Sequence, residues 1–95
     1  MYNVGILGFG KMGQIRAETA EKTNKASVKS VYEFSDKIKI EQYNRVNSPD
    51  DIFTDDEIDI IFVCTPNFLN KEFTIKGLKS DKHVFCEQPP AVAES

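Results

Sequence analysis

Tryptophan is absent from this 95-residue chain, histidine occurs once and cysteine twice. Each shortage excludes something. The single histidine, His83, stands just before an apolar run, the place of a surface or capping residue rather than of a catalytic base. Cys64 and Cys86 lie near the ends of apolar segments with no ligand cluster around them, so buried reduced thiols are expected, not a disulfide or a metal site. No apolar run approaches the length of a membrane span. The N-terminus reaches a glycine turn too soon for a signal peptide, and a cytoplasmic location is expected. Basic charge is also short: 12 Lys and Arg face 15 Asp and Glu, for a net charge of −3. That balance offers nucleic acid no broad cationic surface. There are no repeats, linkers or low-complexity tracts. Apolar content of 40% with 28% charged residues fits a soluble globular domain. The length is enough for a core but short for a dinucleotide enzyme.

What is present is glycine, in one telling place. Gly8, Gly10 and Gly13 follow the apolar segment Tyr2-Asn3-Val4-Gly5-Ile6-Leu7 at G-x-G-x-x-G spacing. Gly8 would turn the chain out of a strand, Gly10 would let a pyrophosphate approach the backbone, and Gly13 would let the next helix pack against that strand. The N–H groups of the helix's first turn, around Lys11 and Met12, would then face the phosphates, with the helix dipole favouring their charge. Glu33 lies 20 residues beyond Gly13, where an acid that holds the adenosine ribose is expected. An ordinary solvated strand-end charge is the plain alternative for Glu33.

Along the chain, strand and helix alternate. Strands are expected over 2–7, 27–34, near Arg45 and Val46, over 58–63, and over 84–86. Helices are expected over 11–22, after the start signal Ser48-Pro49-Asp50-Asp51, and over 68–79. The first helix is loosely amphipathic, with Met12, Ile15, Thr19 and Ala20 sharing a face that also holds Arg16. Residues 35–42 read as a short helix or an irregular loop. Ile58-Asp59-Ile60-Ile61-Phe62-Val63 is nearly continuous apolar sequence, the mark of a parallel strand covered on both faces. The fold class is therefore α/β, a doubly wound parallel Rossmann-type sheet truncated after the fifth strand. Ligands of such sheets bind outside the carboxyl ends of the strands at the switch point, here between strands one and four. That rim collects Gly8, Phe9, Gly10, Glu33, Cys64, Thr65, Pro66, Asn67, Glu87 and Gln88.

Three separated segments resemble the Gfo/Idh/MocA family of sugar and cyclitol oxidoreductases: the glycine loop, Asp59 through Asn67 with its T-P-N, and Lys82-His83-Val84-Phe85-Cys86-Glu87-Gln88-Pro89. The resemblance covers essentially the whole chain. It implies an NAD(P)-dependent enzyme passing hydride between a polyol carbon and the nicotinamide. Gly8, Phe9, Gly10, Lys11, Met12 and Gly13 would hold the pyrophosphate, and Glu33 the ribose. Thr65, Pro66, Asn67, Glu87 and Gln88 would border the nicotinamide. Two positions depart from the family pattern. Gln88 replaces the lysine of E-K-P, and Asn70 stands where a histidine often follows T-P-N.

The resemblance also implies a C-terminal substrate domain that supplies the acid/base. Residues 1–95 are thus expected to be an incomplete dinucleotide-binding domain of a longer protein, with no catalytic residue assigned and no metal. The expected cofactor is NAD in preference to NADP, because Glu33 would repel a 2′-phosphate and Phe34 supplies no compensating charge. A sugar-like substrate is expected for the full-length protein. An unprotected fifth strand predicts self-association. The competing reading is a non-catalytic nucleotide-binding or sensing module. A flavin or other nucleotide on the same fold is a third, since fold alone does not fix the ligand.

Overall fold

The computed structural model describes residues 1–65 and 67–86, the side chain of Asn67 excepted. In chain order the elements are β1 (Tyr2–Leu7), α1 (Lys11–Lys22), β2 (Ala26–Tyr32), β3 (Asn44–Val46), α2 (Asp50–Phe53), β4 (Ile60–Val63), α3 (Asn67–Lys79) and β5 (His83–Cys86). The strands form one five-stranded sheet in the order β3-β2-β1-β4-β5, and every neighbouring pair is parallel. β1 is central. Ile6 sits opposite Val31 on one side and Phe62 on the other.

A strand with neighbours on both edges and layers on both faces has to be apolar throughout, and Val4 to Leu7 are all buried. Alternate side chains feed two cores. Val4, Ile6, Phe9, Val28 and Val31 join Ala17 and Ala20 of α1 on one face. Leu7, Ile61 and Val63 join Ile52, Phe53 and Phe73 from the α2 and α3 side of the sheet. The second layer lies close because Gly77 of α3 leaves room: a Cβ there would stand 2.5 Å from Val84 Cγ2.

The sheet, its order and its switch point between β1 and β4 follow the expected pattern, but several details differ. α1 buries Gly13, Ala17 and Ala20, whereas Met12 and Ile15 are each 39% exposed. Close packing selects the smallest side chains for the inner face, so the larger apolar residues mark the outer one. β2 ends at Tyr32, not at 34, because Glu33 leaves the ladder to reach back toward β1. β4 starts at Ile60, since Ile58 is held in the preceding turn by a bond from its N–H to the Asp55 carbonyl (3.1 Å). Residues 35–42 form an irregular loop, with Ile38 and Ile40 packed on the α1 core. Before α2, the Ser48 hydroxyl accepts the Asp50 N–H at 3.2 Å, and Pro49 occupies the cap position rather than the first helical one. His83 is exposed. Among the described residues no helix is long and apolar enough to cross a membrane.

At the amino ends of the strands, Lys82 is only 8% exposed. Its Nζ donates to the carbonyls of Asp55 at 2.7 Å and Ile58 at 2.9 Å, closing the turn between α2 and β4. Beside it Lys29 donates to the Asp55 carboxylate and lies 3.5 Å from Glu57. The Lys29 bond, followed by the Glu57 N–H, holds the Asp55 carboxyl below its ordinary range. A lysine ahead of a strand reads as solvated charge in sequence; here it is an internal donor. Lys82→Ala strips a partner from two carbonyls and should cost about 1–3 kcal/mol. Urea denaturation checks this: the midpoint falls while the slope stays as in the wild type.

Candidate functional site

The carboxyl ends of β1, β2, β4 and β5 share one edge of the sheet, and the segment leaving β1 forms its centre. Gly8 has φ +93°, a conformation that L side chains rarely adopt. A Cβ on it would lie 2.6 Å from the Cys64 carbonyl oxygen. Its N–H continues the ladder to the Tyr32 carbonyl at 2.8 Å, while the Cys64 N–H donates to the Leu7 carbonyl at 2.7 Å. The turn is thereby wedged between β2 and β4. At Gly13 a Cβ would stand 2.1 Å from the Gly8 carbonyl oxygen, so the start of α1 touches the turn it has just left.

Gly10 is the opposite case. It caps α1 in an extended conformation (φ −73°, ψ −159°), and nothing lies within 4 Å of where its Cβ would be. The open space faces the head of the helix, whose first-turn N–H groups have no intrahelical acceptor. No acidic residue occupies that first turn, and the exposed Lys11 adds positive charge. Peptide donors and the helix dipole meet at a cradle that a single methyl group would begin to fill. The place suits a diphosphate.

Phe9 supports the loop from beneath. Its ring is 4% exposed and meets Tyr43 edge-on at 5.9 Å. Its N–H donates to Glu33 Oε1 at 2.7 Å, and its carbonyl accepts from Gln14 Nε2 at 3.3 Å. Glu33 is 7% exposed, with Oε2 accepting the Ser35 N–H at 3.0 Å. It is not the solvated charge considered from the sequence. Thr65 and Asn70 are buried together, the Thr65 hydroxyl donating to Asn70 Oδ1 at 2.9 Å. Asn70, at the family's histidine position, thus ties β4's outgoing turn to α3.

Pro66, Glu87, Gln88 and the Asn67 side chain lie outside the described residues; Asn67 is the first residue of α3. Below the rim, on the α1 face, Arg16, Phe62, Cys64, Phe85 and Cys86 line a cavity of about 250 Å³. Phe62 and Phe85 stack there at 5.5 Å. Neither cysteine is in a disulfide. Among the described residues there is no group of three or more His, Cys, Asp or Glu placed to hold a metal ion. Sequence reasoning missed Arg45, whose guanidinium donates to the carbonyls of Glu33, Ser35 and Ile38. A lone arginine in a three-residue strand carries no signal of that role.

Comparison with known proteins agrees with this geometry. The family model for an oxidoreductase family with an NAD-binding Rossmann fold matches residues 2–95. The chain is 36% identical to the 2,7-anhydro-N-acetylneuraminate hydratase of Escherichia coli over 98% of its own length and 26% of that protein's. It is 28% identical to the myo-inositol 2-dehydrogenase of Thermotoga maritima, covering 90% of the chain and 28% of that enzyme. Among solved structures, the biliverdin reductase of Synechocystis, in complex with biliverdin and NADP⁺, superimposes with a TM-score of 0.86 at 27% identity. That match covers 92% of this chain and 29% of the reductase chain. The chain therefore spans little more than a quarter of the length of these relatives.

The three glycines should separate on substitution. Gly8→Ala and Gly13→Ala each force a methyl group against backbone and should destabilise by about 1–3 kcal/mol or more. Gly10→Ala, in open space, should stay within about 0.5 kcal/mol of the wild type. Thermal melts of the three variants give the comparison.

Proposed function

The chain belongs to the Gfo/Idh/MocA oxidoreductase family, and from that premise we propose that it is the dinucleotide-binding portion of an enzyme acting on the hydroxyl-bearing carbon of a sugar, cyclitol or sugar derivative. The observation that carries the reading is the open cradle at Gly10, at the head of a helix with no acid in its first turn. Gly8, Gly10, Lys11, Met12 and Gly13 hold the pyrophosphate, with Phe9 as the support beneath. Glu33 serves the adenosine ribose: an ionised carboxylate has about four acceptor positions, and two are engaged by Phe9 and Ser35. Thr65, Pro66, Asn67, Glu87 and Gln88 border the nicotinamide end. When bound, the nicotinamide supplies the hydride acceptor or donor. Support for a polyol substrate comes from the inositol dehydrogenase relative.

NAD is the preferred cofactor in this reading. The Glu33 carboxylate would oppose a 2′-phosphate, and the neighbouring Phe34 is uncharged. The proton of the substrate hydroxyl needs a titratable partner; Gln88 and Asn70 are neutral, and Glu87, the titratable group assigned to the nicotinamide end, is read from the family resemblance as supporting the cofactor. The resemblance assigns the partner to the part of the relatives that this chain does not span, and the 95 residues alone are expected to show no turnover. The second reading, a nucleotide-binding module without chemistry, draws on the same two residues, Gln88 and the Thr65-bound Asn70. A cytoplasmic location suits two thiols outside any disulfide. Self-association suits β5, one of the two edges of the sheet among the described residues, where Phe85 is 57% exposed.

Calorimetric titration tests the cofactor assignment. NAD should bind the wild type more tightly than NADP. Gly10→Val should remove binding of both while leaving the melting temperature near the wild-type value, because its branched Cβ occupies the phosphate cradle and not the core. Equal NAD affinity in wild type and variant would overturn the assignment. Light scattering tests the edge: apparent mass should rise with concentration, and Phe85→Lys should suppress the rise.

A further inference from the structure

Resting on the dinucleotide reading, we infer that Arg45 is a positioning residue that sets which ribose 2′ substituent the site accepts. It does so by holding the segment that carries Glu33. Arg45 lies in β3, opposite Val31 of β2, and its guanidinium turns back over the chain that has just left β2. Nη2 donates to the Glu33 carbonyl at 2.7 Å and to the Ser35 carbonyl at 2.8 Å, and Nη1 donates to the Ile38 carbonyl at 2.7 Å. Residues 33–38 are wrapped around one planar fork. The wrap is tightened from inside by the Ile38 N–H on the Ser35 carbonyl (3.3 Å) and the Lys37 N–H on the Ser35 hydroxyl (3.3 Å).

The wrap presents the Ser35 N–H to Glu33 Oε2, and Glu33 Oε1 in turn receives the Phe9 N–H. A continuous path therefore runs from the guanidinium through the backbone of 33–38 and the Glu33 carboxylate to the glycine loop. Each link is a hydrogen bond of 2.7–3.0 Å. Two consequences follow for the adenosine end. The Glu33 carboxylate, the charge that disfavours a 2′-phosphate, is fixed at the glycine loop and cannot rotate away. Lys37 on this segment and Lys39 directly after it are exposed, and pinning the backbone of 33–38 limits how far their ammonium groups can move toward a 2′-phosphate. The Arg45 cation is itself engaged by carbonyl oxygens. Lysine cannot reproduce the arrangement, because three carbonyls in different directions match the guanidinium fork and not a point ammonium.

Arg45→Gln and Arg45→Lys, compared with the wild-type chain, test this with two readouts. The first is amide hydrogen exchange. In Arg45→Gln the Phe9 and Ser35 amides should exchange about tenfold faster, a 1.4 kcal/mol loss of local protection. The strand amides of Ile6 and Ile61 should keep their wild-type rates. The second is the ratio of Kd for NADP to Kd for NAD, which should fall about tenfold in Arg45→Gln and by less in Arg45→Lys.

An unchanged Phe9 rate, or a rise shared equally by Ile6 and Ile61, would overturn the strap and leave Arg45 with a general stabilising role. Equal loss of affinity for both dinucleotides, with the ratio intact, would overturn its part in selectivity. If the wild type takes up neither dinucleotide, the functional reading and the selectivity fall together. The exchange contrast then still decides whether Arg45 holds the glycine loop.

Discussion

The contact on which the rest of the structure depends is the approach of α1 to the turn it leaves, where Gly13 meets the Gly8 carbonyl with no room for a methyl group. Because the helix starts this close to the sheet, only Gly13, Ala17 and Ala20 fit beneath it. Because Gly8 turns at positive φ between the Tyr32 carbonyl and the Cys64 carbonyl, the helix starts at the carboxyl end of β1, between the ends of β2 and β4. The same contact leaves Gly10 facing open space. Close packing on one side of the loop and vacancy on the other arise from a single backbone path.

Around that path, the loops at both ends of the sheet are held by polar side chains acting on main-chain groups. Parallel sheets create this need: each strand delivers its chain into a loop whose N–H and C=O groups have left the ladder. Glu33 takes two amides, Arg45 takes three carbonyls and Lys82 takes two. Thr65 and Asn70 bind each other where β4 passes into α3. No buried side-chain nitrogen or oxygen is left without a partner among the described residues. The loops at both ends of the sheet are thus preformed by side chains bonded to the protein's own backbone.

Much of the fold was legible because its signals are local. A nearly continuous apolar run marked β4 as a strand covered on both faces, the apolar segment ahead of the glycines marked β1, the glycine spacing marked the turn, and Ser48-Pro49 marked the start of α2. The inner face of α1 was misread because hydrophobicity pointed to Met12 and Ile15, whereas distance to the sheet selects for size. The end of β2 was placed two residues late because Phe34 reads as strand, while the adjacent carboxylate finds its amides at Phe9 and Ser35, off the ladder. Arg45 and Lys82 carried no signal at all, since a cation in sequence looks the same whether water or three carbonyls surround it.

The amino-acid sequence by itself therefore determined the alternation of strand and helix, the parallel sheet and the position of the open glycine turn. Each of these is written in residues within a dozen positions of one another. Tertiary structure alone decided which groups hold the loops at the two ends of the sheet. Glu33 reaches Phe9 across 24 residues, Arg45 reaches Glu33 across 12, and Lys82 reaches Asp55 across 27. Hydrogen-bond partners so distant in the chain are chosen by where folded backbone exposes an unsatisfied donor or acceptor, and that exists only once the sheet has formed.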